Sequence, residues 1–292
     1  MGFHIETELS TQPENWAEAA EVASRYASAL PKTGERVALV GCGTSWFMSM
    51  AFAGIREQSG LGLTDSFTAS EFNYGREYDR VIAITRTGTT SETVDVLERL
   101  RGVVPTTVIT SVADSPACQA ADQSVVVDFA PELSVVSTRF ATSCLALLRS
   151  HLGESLDDVI DQARSMMSIP IESYIDAEQI TFLGTHWSVA MAYEAALKTR
   201  ETAQFWAEAY PAMDYRHGPI SIAQSGRVVW CFGTPPANLQ LDVEATGAHF
   251  ETRNIDPMAH LILAHRVSVG LAKKRGVNPD QPRHLSRSVV LV

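Results

Sequence analysis

Several things are scarce in this chain. Cysteine occurs four times in 292 residues, at Cys42, Cys118, Cys144 and Cys231, scattered and without a C-x-x-C pair. That spacing offers neither a disulfide framework nor a zinc site, and it fits a reducing, cytoplasmic setting. No apolar run approaches the roughly 20 residues that a membrane span needs. The opening residues, MGFHIETELSTQPENW, carry acids where a secretory leader has a basic and then an apolar stretch, so no signal peptide is expected. Cations are outnumbered, 23 Lys and Arg against 34 Asp and Glu, giving a formal net charge of −11. A nucleic-acid backbone or an anionic membrane is therefore a poor main partner. A small anion is not excluded, because a local site can be positive inside a negative protein.

What is present is an alternation of apolar strands and helices. Residues 13–30 have helical period, with Trp16, Ala20, Val22, Ala23, Tyr26 and Leu30 as the buried stripe. RVALVGCGTS (36–45) reads as a buried strand running into a Gly-rich turn, followed by an apolar helix ending at Gly60. Residues 67–72 suggest a strand and turn, and 80–84, 106–110 and 124–129 suggest three more strands. Helical patterns cover the stretch after 90 to about 101, and 137–152. This is an α/β fold with a mainly parallel sheet. A second round starts near residue 178, where QITFLGTHWS repeats the layout of RVALVGCGTS with Gly184 matching Gly41. RVVWCFG (227–233) follows as a strand, and HLILAH (260–265) is a later candidate. The expected division is 1–170 and 171–292, with the junction near 165–178.

The stretch between the strand VIAI and the next helix stands out. Thr85 to Thr93 hold six hydroxyls, one glycine and one arginine in nine residues. In a parallel sheet, ligands gather where strands end and helices begin. A helix N-terminus offers unpaired N–H groups and a partial positive charge, which suits a phosphate. Thr85, Thr87, Thr89 and Thr90 are the candidate donors, with Ser45 of the first turn beside them and Gly88 letting the backbone approach. The plainer reading is a helix cap, in which Thr90 or Ser91 satisfies the first turn and Glu92 and Asp95 favour its positive end. The loop lacks G-x-x-x-x-G-K-[ST], and GCGTSW lacks the third glycine of a dinucleotide fingerprint, so nucleotide binding is not expected.

The second round holds the reactive side chains. Glu194, Lys198 and Glu201 fall at i, i+4 and i+7, one face of a helix. A surface ladder is the bland reading, worth a few tenths of a kcal/mol; the Ala and aromatic surroundings argue for something more buried. His217 lies in DYRHGPIS: a His on a loop is ordinarily polar surface, but one held by an R-H-G-P turn beside a sheet edge is a better candidate for acid–base work. A phosphate cradle with a carboxylate, a lysine and a histidine points to proton transfer on a phosphorylated sugar, with no metal or other cofactor required.

GCGTS, SEFNY (70–74), TRTGTTSET and VVSTRFAT (135–142) together resemble the sugar isomerase (SIS) family. ALKTRET, AEAY (207–210), RHGP and the tail NPDQPRHLSRSVVLV extend the likeness. Together they look like the isomerase half of glucosamine-6-phosphate synthase and its phosphosugar isomerase, deaminase and deglycase relatives. The resemblance implies two SIS domains, each a mainly parallel sheet flanked by helices in a flavodoxin-like three-layer sandwich. It implies a homodimer with sugar phosphate at the domain and subunit junction. By match, phosphate falls to Ser45, Thr85, Arg86, Thr87 and Thr90, and the sugar to Gly43, Thr44, Val135, Ser137 and Arg287. Glu201 matches the proton-transferring carboxylate and Lys198 its assisting lysine. His217 matches the ring-opening histidine, supplied in the family by the partner subunit.

Two departures refine the expectation. No glutaminase segment or N-terminal nucleophilic cysteine precedes the likeness, so glutamine is not expected as a nitrogen source. Arg287 stands where the synthase has a Schiff-base lysine, and a permanently protonated guanidinium is a poor amine nucleophile. The reading is thus a phosphosugar aldose–ketose isomerase or aminosugar-phosphate deaminase. A fructosamine-6-phosphate deglycase and a non-catalytic phosphosugar-binding regulator are the alternatives. Only about 35 residues precede the first strand, too few for the DNA-binding segment that such regulators carry.

Overall fold

The computed structural model describes residues 2–291. The chain forms two compact units interleaved in sequence. One holds Glu14–Leu133, Ser137–Leu156 and residues 286–291; the other holds residues 2–13, Ser134–Val136 and Asp157–Leu285. Two short helices open the chain, α1 (His4–Ser10) and α2 (Gln12–Val22).

The first unit runs β1 (Val37–Gly41), α3 (Thr44–Gln58), β2 (Thr64–Thr68), β3 (Arg80–Ile84), α4 (Ser91–Leu100), β4 (Thr106–Thr110), α5 (Pro116–Ala120), β5 (Gln123–Val126) and α6 (Arg139–His151). All pairings are parallel, in the order β2-β1-β3-β4-β5. This is the doubly wound order of flavodoxin-like sheets. The strands β1, β3 and β4 read VALVG, RVIAI and TTVIT and are buried throughout. Continuous rather than alternating burial is what a sheet covered on both faces requires. The chain leaves β1 toward β2 on one side and returns to β3 on the other. Val40 pairs with Ala83, so the turns after β1 and β3 emerge side by side at this switch point. Gly41 is needed for that geometry: a Cβ there would stand 2.7 Å from the Ser45 carbonyl carbon, where α3 begins.

The second unit runs α7 (Asp157–Met166), α8 (Glu172–Ile175), β6 (Gln179–Gly184), α9 (Val189–Ala203), β7 (Ala207–Pro211), β8 (Arg227–Phe232), α10 (Leu239–Glu244), β9 (His249–Thr252) and α11 (Pro257–Lys274). Its sheet is also parallel, ordered β7-β6-β8-β9. Helix α11 packs on α9, α7 and α1. The Asp280 carboxylate accepts the N–H groups of His4 and Ile5 at 2.8 Å each, so it serves the first turn of α1.

Two expectations need correction here. HLILAH is not a strand but the middle of α11, which starts at a cap where the Asp256 carboxylate accepts the Met258 N–H, with Pro257 in the first turn. A helix buried on nearly every side shows no period to separate it from a strand. The second sheet repeats the strand order of the first but stops at four strands. After β8 its turn is GTPPAN, without hydroxyl cluster, so it is not a second copy of the phosphate-loop domain. Among the described residues, no helix is long and apolar enough to cross a membrane.

Candidate functional site

The hydroxyl loop links β3 to α4. Thr90 occupies the N-cap position of α4, yet its side chain makes no capping hydrogen bond. Capping alone therefore does not account for the cluster. The hydroxyls contact one another instead: Thr87 and Thr89 oxygens are 2.8 Å apart, and the Thr85 hydroxyl reaches Thr90 at 3.5 Å. Thr85 is buried, while Thr87, Thr89 and Thr90 are half-buried. Gly88 has φ 67°, and a methyl group there would collide with the Ser115 side chain. Gly88→Ala should destabilise the protein by about 1–3 kcal/mol, from left-handed backbone strain and overpacking combined, as read by urea denaturation. Unchanged stability would show that the loop relaxes freely.

Residues 286–291 lie along this loop. The Thr89 hydroxyl donates to Ser288 Oγ at 2.9 Å, and Thr90 Oγ1 is 3.3 Å from the same oxygen. The Ser91 N–H donates to the Val289 carbonyl at 3.1 Å, and the Leu291 N–H to Ser91 Oγ at 2.9 Å. Ser288 thus joins the hydroxyl cluster. Sequence reasoning singled out its neighbour Arg287; the serine was as visible in the same motif.

Arg86 stands differently from the threonines. Its guanidinium donates to Glu132 Oε2 at 2.8 Å, and the pair is buried. The other Glu132 oxygen accepts the N–H groups of Thr138 at 2.6 Å and Phe140 at 3.3 Å, at the start of α6. Arg287 donates to the Glu132 carbonyl oxygen at 2.5 Å, and Arg86 to the Arg287 carbonyl at 3.4 Å. Glu132 therefore anchors the loop and a helix start through its carboxylate, which offsets the charge of Arg86, and the tail through its backbone carbonyl. The tail arginine is exposed.

In the first turn, Gly43 precedes α3 with φ 55°, Thr44 is buried and Ser45 is half-buried. Burial pushes the Cys42 thiol up, only partly opposed by its contact with the Thr93 hydroxyl, so it is a poor nucleophile. Ser137 Oγ is buried and has no hydrogen-bond partner among the described residues. Val135 belongs to the other unit, where its N–H donates to the Asp280 carbonyl at 2.9 Å.

The second unit carries the carboxylate–lysine cluster on α9. Lys198 is 1% exposed, with Nζ 2.5 Å from Glu201 Oε2 and 3.7 Å from Glu194 Oε1. His265 of α11 places Nε2 3.8 Å from the same Glu194 oxygen. The three residues share one face as their spacing predicts, and that face is buried rather than a solvated ladder. Only Glu201 reaches outward, onto the wall of a cavity of about 520 Å³. His217 ends a 3-10 turn, Asp214–His217, and is exposed; among the described residues it makes no hydrogen bond or ion pair with Glu201 or Lys198. Glu194 and His265 are the members of this cluster that the site assignment left out. Glu194 was visible from spacing, whereas His265 depends on how α11 packs. Among the described residues, no group of three or more His, Cys, Asp or Glu side chains is arranged to hold a metal ion.

A parallel sheet with a hydroxyl-rich loop at its switch point is an arrangement whose geometry suits a small anionic ligand. Residues 32–150 match the model of the SIS domain family. The match covers one such domain, so the expectation of two is corrected to one; the four-stranded second sheet lies outside it. The chain is 23% identical over 302 residues to the isomerizing glutamine–fructose-6-phosphate aminotransferase of Sulfolobus acidocaldarius, covering 89% of this chain and 51% of that protein. It thus spans about half the length of such relatives. Among solved structures, glucosamine-6-phosphate deaminase of Thermotoga maritima superposes with a TM-score of 0.80 at 23% identity, covering 98% of this chain and 99% of that one. Tagatose-6-phosphate ketose/aldose isomerase of Escherichia coli gives 0.78 at 18% identity, covering 97% of each. At these identities the structural likeness establishes the fold.

Proposed function

We propose that this protein is a phosphosugar aldose–ketose isomerase or an aminosugar-phosphate deaminase, working by proton transfer. The observation that carries the reading is the Lys198–Glu201 pair: a carboxylate on a cavity wall, held from behind by a buried ammonium. Glu201 takes a proton from the carbon beside a carbonyl or imine and returns it to the neighbouring carbon. Lys198 faces the two carboxylates, so its role is to hold Glu201 in place. The hydroxyls of Thr85, Thr87, Thr90 and Ser45 bind the phosphate, with Arg86 fixing the loop through Glu132. Gly43, Thr44, Val135, Ser137 and Arg287 are assigned to the sugar. His217 opens the ring, and its exposure leaves it available to a second copy of the chain in a homodimer. The phosphosugar names borne by the similar proteins support this reading.

The test is deuterium exchange. The protein is incubated in heavy water with fructose 6-phosphate, glucosamine 6-phosphate and a fructosamine 6-phosphate, and masses are read. Incorporation into a sugar phosphate is expected, and the labelled species names the substrate. Binding without incorporation would make the protein a phosphosugar-binding regulator instead. In the same assay Thr87→Val should raise the KM for the phosphorylated sugar about tenfold, one lost hydrogen bond to a charged group. An unchanged KM would return the loop to a structural role.

A further inference from the structure

His217 is exposed, and its ring makes no hydrogen bond or ion pair among the described residues. Its position is therefore set through the backbone, and the two residues before it settle that backbone. Tyr215 is fully buried and packs in one cluster with Leu183, Leu239 and Val243. Arg216 is clamped. Its Nε and Nη2 reach one oxygen of Asp242 at 2.9 and 2.8 Å, and Nη2 also donates to the Ala237 carbonyl at 2.7 Å. After His217 the chain turns at Gly218, φ 146°, into Pro219.

Both partners of Arg216 come from the segment after β8. Ala237 belongs to the turn GTPPAN, and Asp242 lies on α10 beside the buried Val243. In its sheet β8 holds the place that β3 holds in the other, next to the first strand of the unit. After β3 comes the hydroxyl loop. After β8 come a carbonyl and, one helical turn on, a carboxylate, and both serve a cation of the same unit. A pair this open, with side chains 24% and 46% exposed, adds little to stability. What it fixes is the orientation of the turn that carries His217.

We propose that Asp242, acting through Arg216, is a positioning residue for ring opening by His217. The proposal rests on the reading of His217 as the ring-opening group. A cyclic ketose phosphate is a hemiketal, and opening it moves one proton. The imidazole takes that proton from the anomeric hydroxyl. The C2 carbonyl forms as the C2–O5 bond breaks, and the imidazole returns the proton to O5. No atom or electron is gained or lost overall. The imidazole has to come within about 2.6–3.2 Å of each oxygen in turn. A misplacement of about 1 Å can cost ~10²-fold. The His217 ring has no side-chain partner to correct such an error, so the clamp on the residue before it carries the constraint.

The test compares two substrates. Fructose 6-phosphate closes to a furanose through its 5-hydroxyl. 5-Deoxyfructose 6-phosphate lacks that hydroxyl and its O6 is esterified, so it stays open and needs no ring-opening step. Deuterium entry from heavy water is measured for each, and the ratio of the two kcat/KM values, cyclic over open, is read. Asp242→Ala should lower this ratio about tenfold, as expected for a displaced acid–base group, and His217→Ala should lower it at least as far. A variant that merely loosens the fold slows both substrates alike and leaves the ratio unmoved. A ratio within about twofold of wild type in Asp242→Ala, with His217→Ala still lowering it, would overturn the proposal. A ratio unmoved by His217→Ala would remove the ring-opening reading and the clamp's role with it, while proton transfer by Glu201 stands. No exchange into either substrate would remove proton transfer itself.

Discussion

Glu201→Gln should lower turnover by about 10²–10⁴-fold, the range that general acid–base catalysis contributes. The amide has nearly the shape of the carboxylate, and its oxygen can still accept from Lys198, 2.5 Å away in the native pair. Lys198 also keeps a second counter-charge in Glu194, at 3.7 Å. The variant should therefore fold, and circular dichroism should show an unchanged helix content. What it loses is the ability to hold a proton between two carbons. The loss should fall on kcat, with KM little changed, because the group acts in the transition state rather than in ground-state binding. Turnover within tenfold of wild type would remove Glu201 from the chemistry.

Glu132→Ala should cost about 3–5 kcal/mol of stability, the usual effect of stranding one partner of a buried ion pair. The Glu132 side chain is fully buried and that of Arg86 is 8% exposed, so the guanidinium would be left without its counter-charge. The start of α6 would lose its acceptor as well, since Thr138 and Phe140 donate to the same carboxylate. Urea denaturation followed by tryptophan fluorescence measures the change. Removing both charges, with Arg86→Met and Glu132→Leu together, should recover part of the loss, because a buried pair and an apolar replacement are often close in energy. Recovery should be incomplete, since the α6 N–H groups stay unserved. A loss below 1 kcal/mol for Glu132→Ala would mean that water reaches the guanidinium.

Much of this arrangement was legible in the sequence. RVIAI and TTVIT are short apolar runs bounded by turn residues, and they became β3 and β4 at the expected positions. Glu194, Lys198 and Glu201 needed only helical spacing to be placed on one face. Burial of that face was suggested by the alanines around it, and Lys198 at 1% exposure follows. Other features depend on contacts between residues far apart in sequence. Nothing local in TRTGTT tells that Arg86 meets Glu132 rather than solvent, since the partner lies 46 residues on. The same holds for Ser288, 199 residues beyond Thr89. HLILAH failed for a different reason: six residues buried all round carry no periodicity, and only the cap at Asp256 reveals the helix.

Asp280 closing the first turn of α1, and Ser288 closing the hydroxyl loop, bear on the order in which a ribosome delivers the chain. Helix α1 emerges early, yet the acceptor for its His4 and Ile5 N–H groups follows some 275 residues later. The loop after β3 likewise waits for residues 286–291. At about 5–20 residues per second, the interval between α1 and Asp280 is tens of seconds. Throughout it, each unit is short of a closing segment. Neither unit can be finished in strict N-to-C order: the one holding α1 waits for Asp280, and the one holding the hydroxyl loop waits for Ser288.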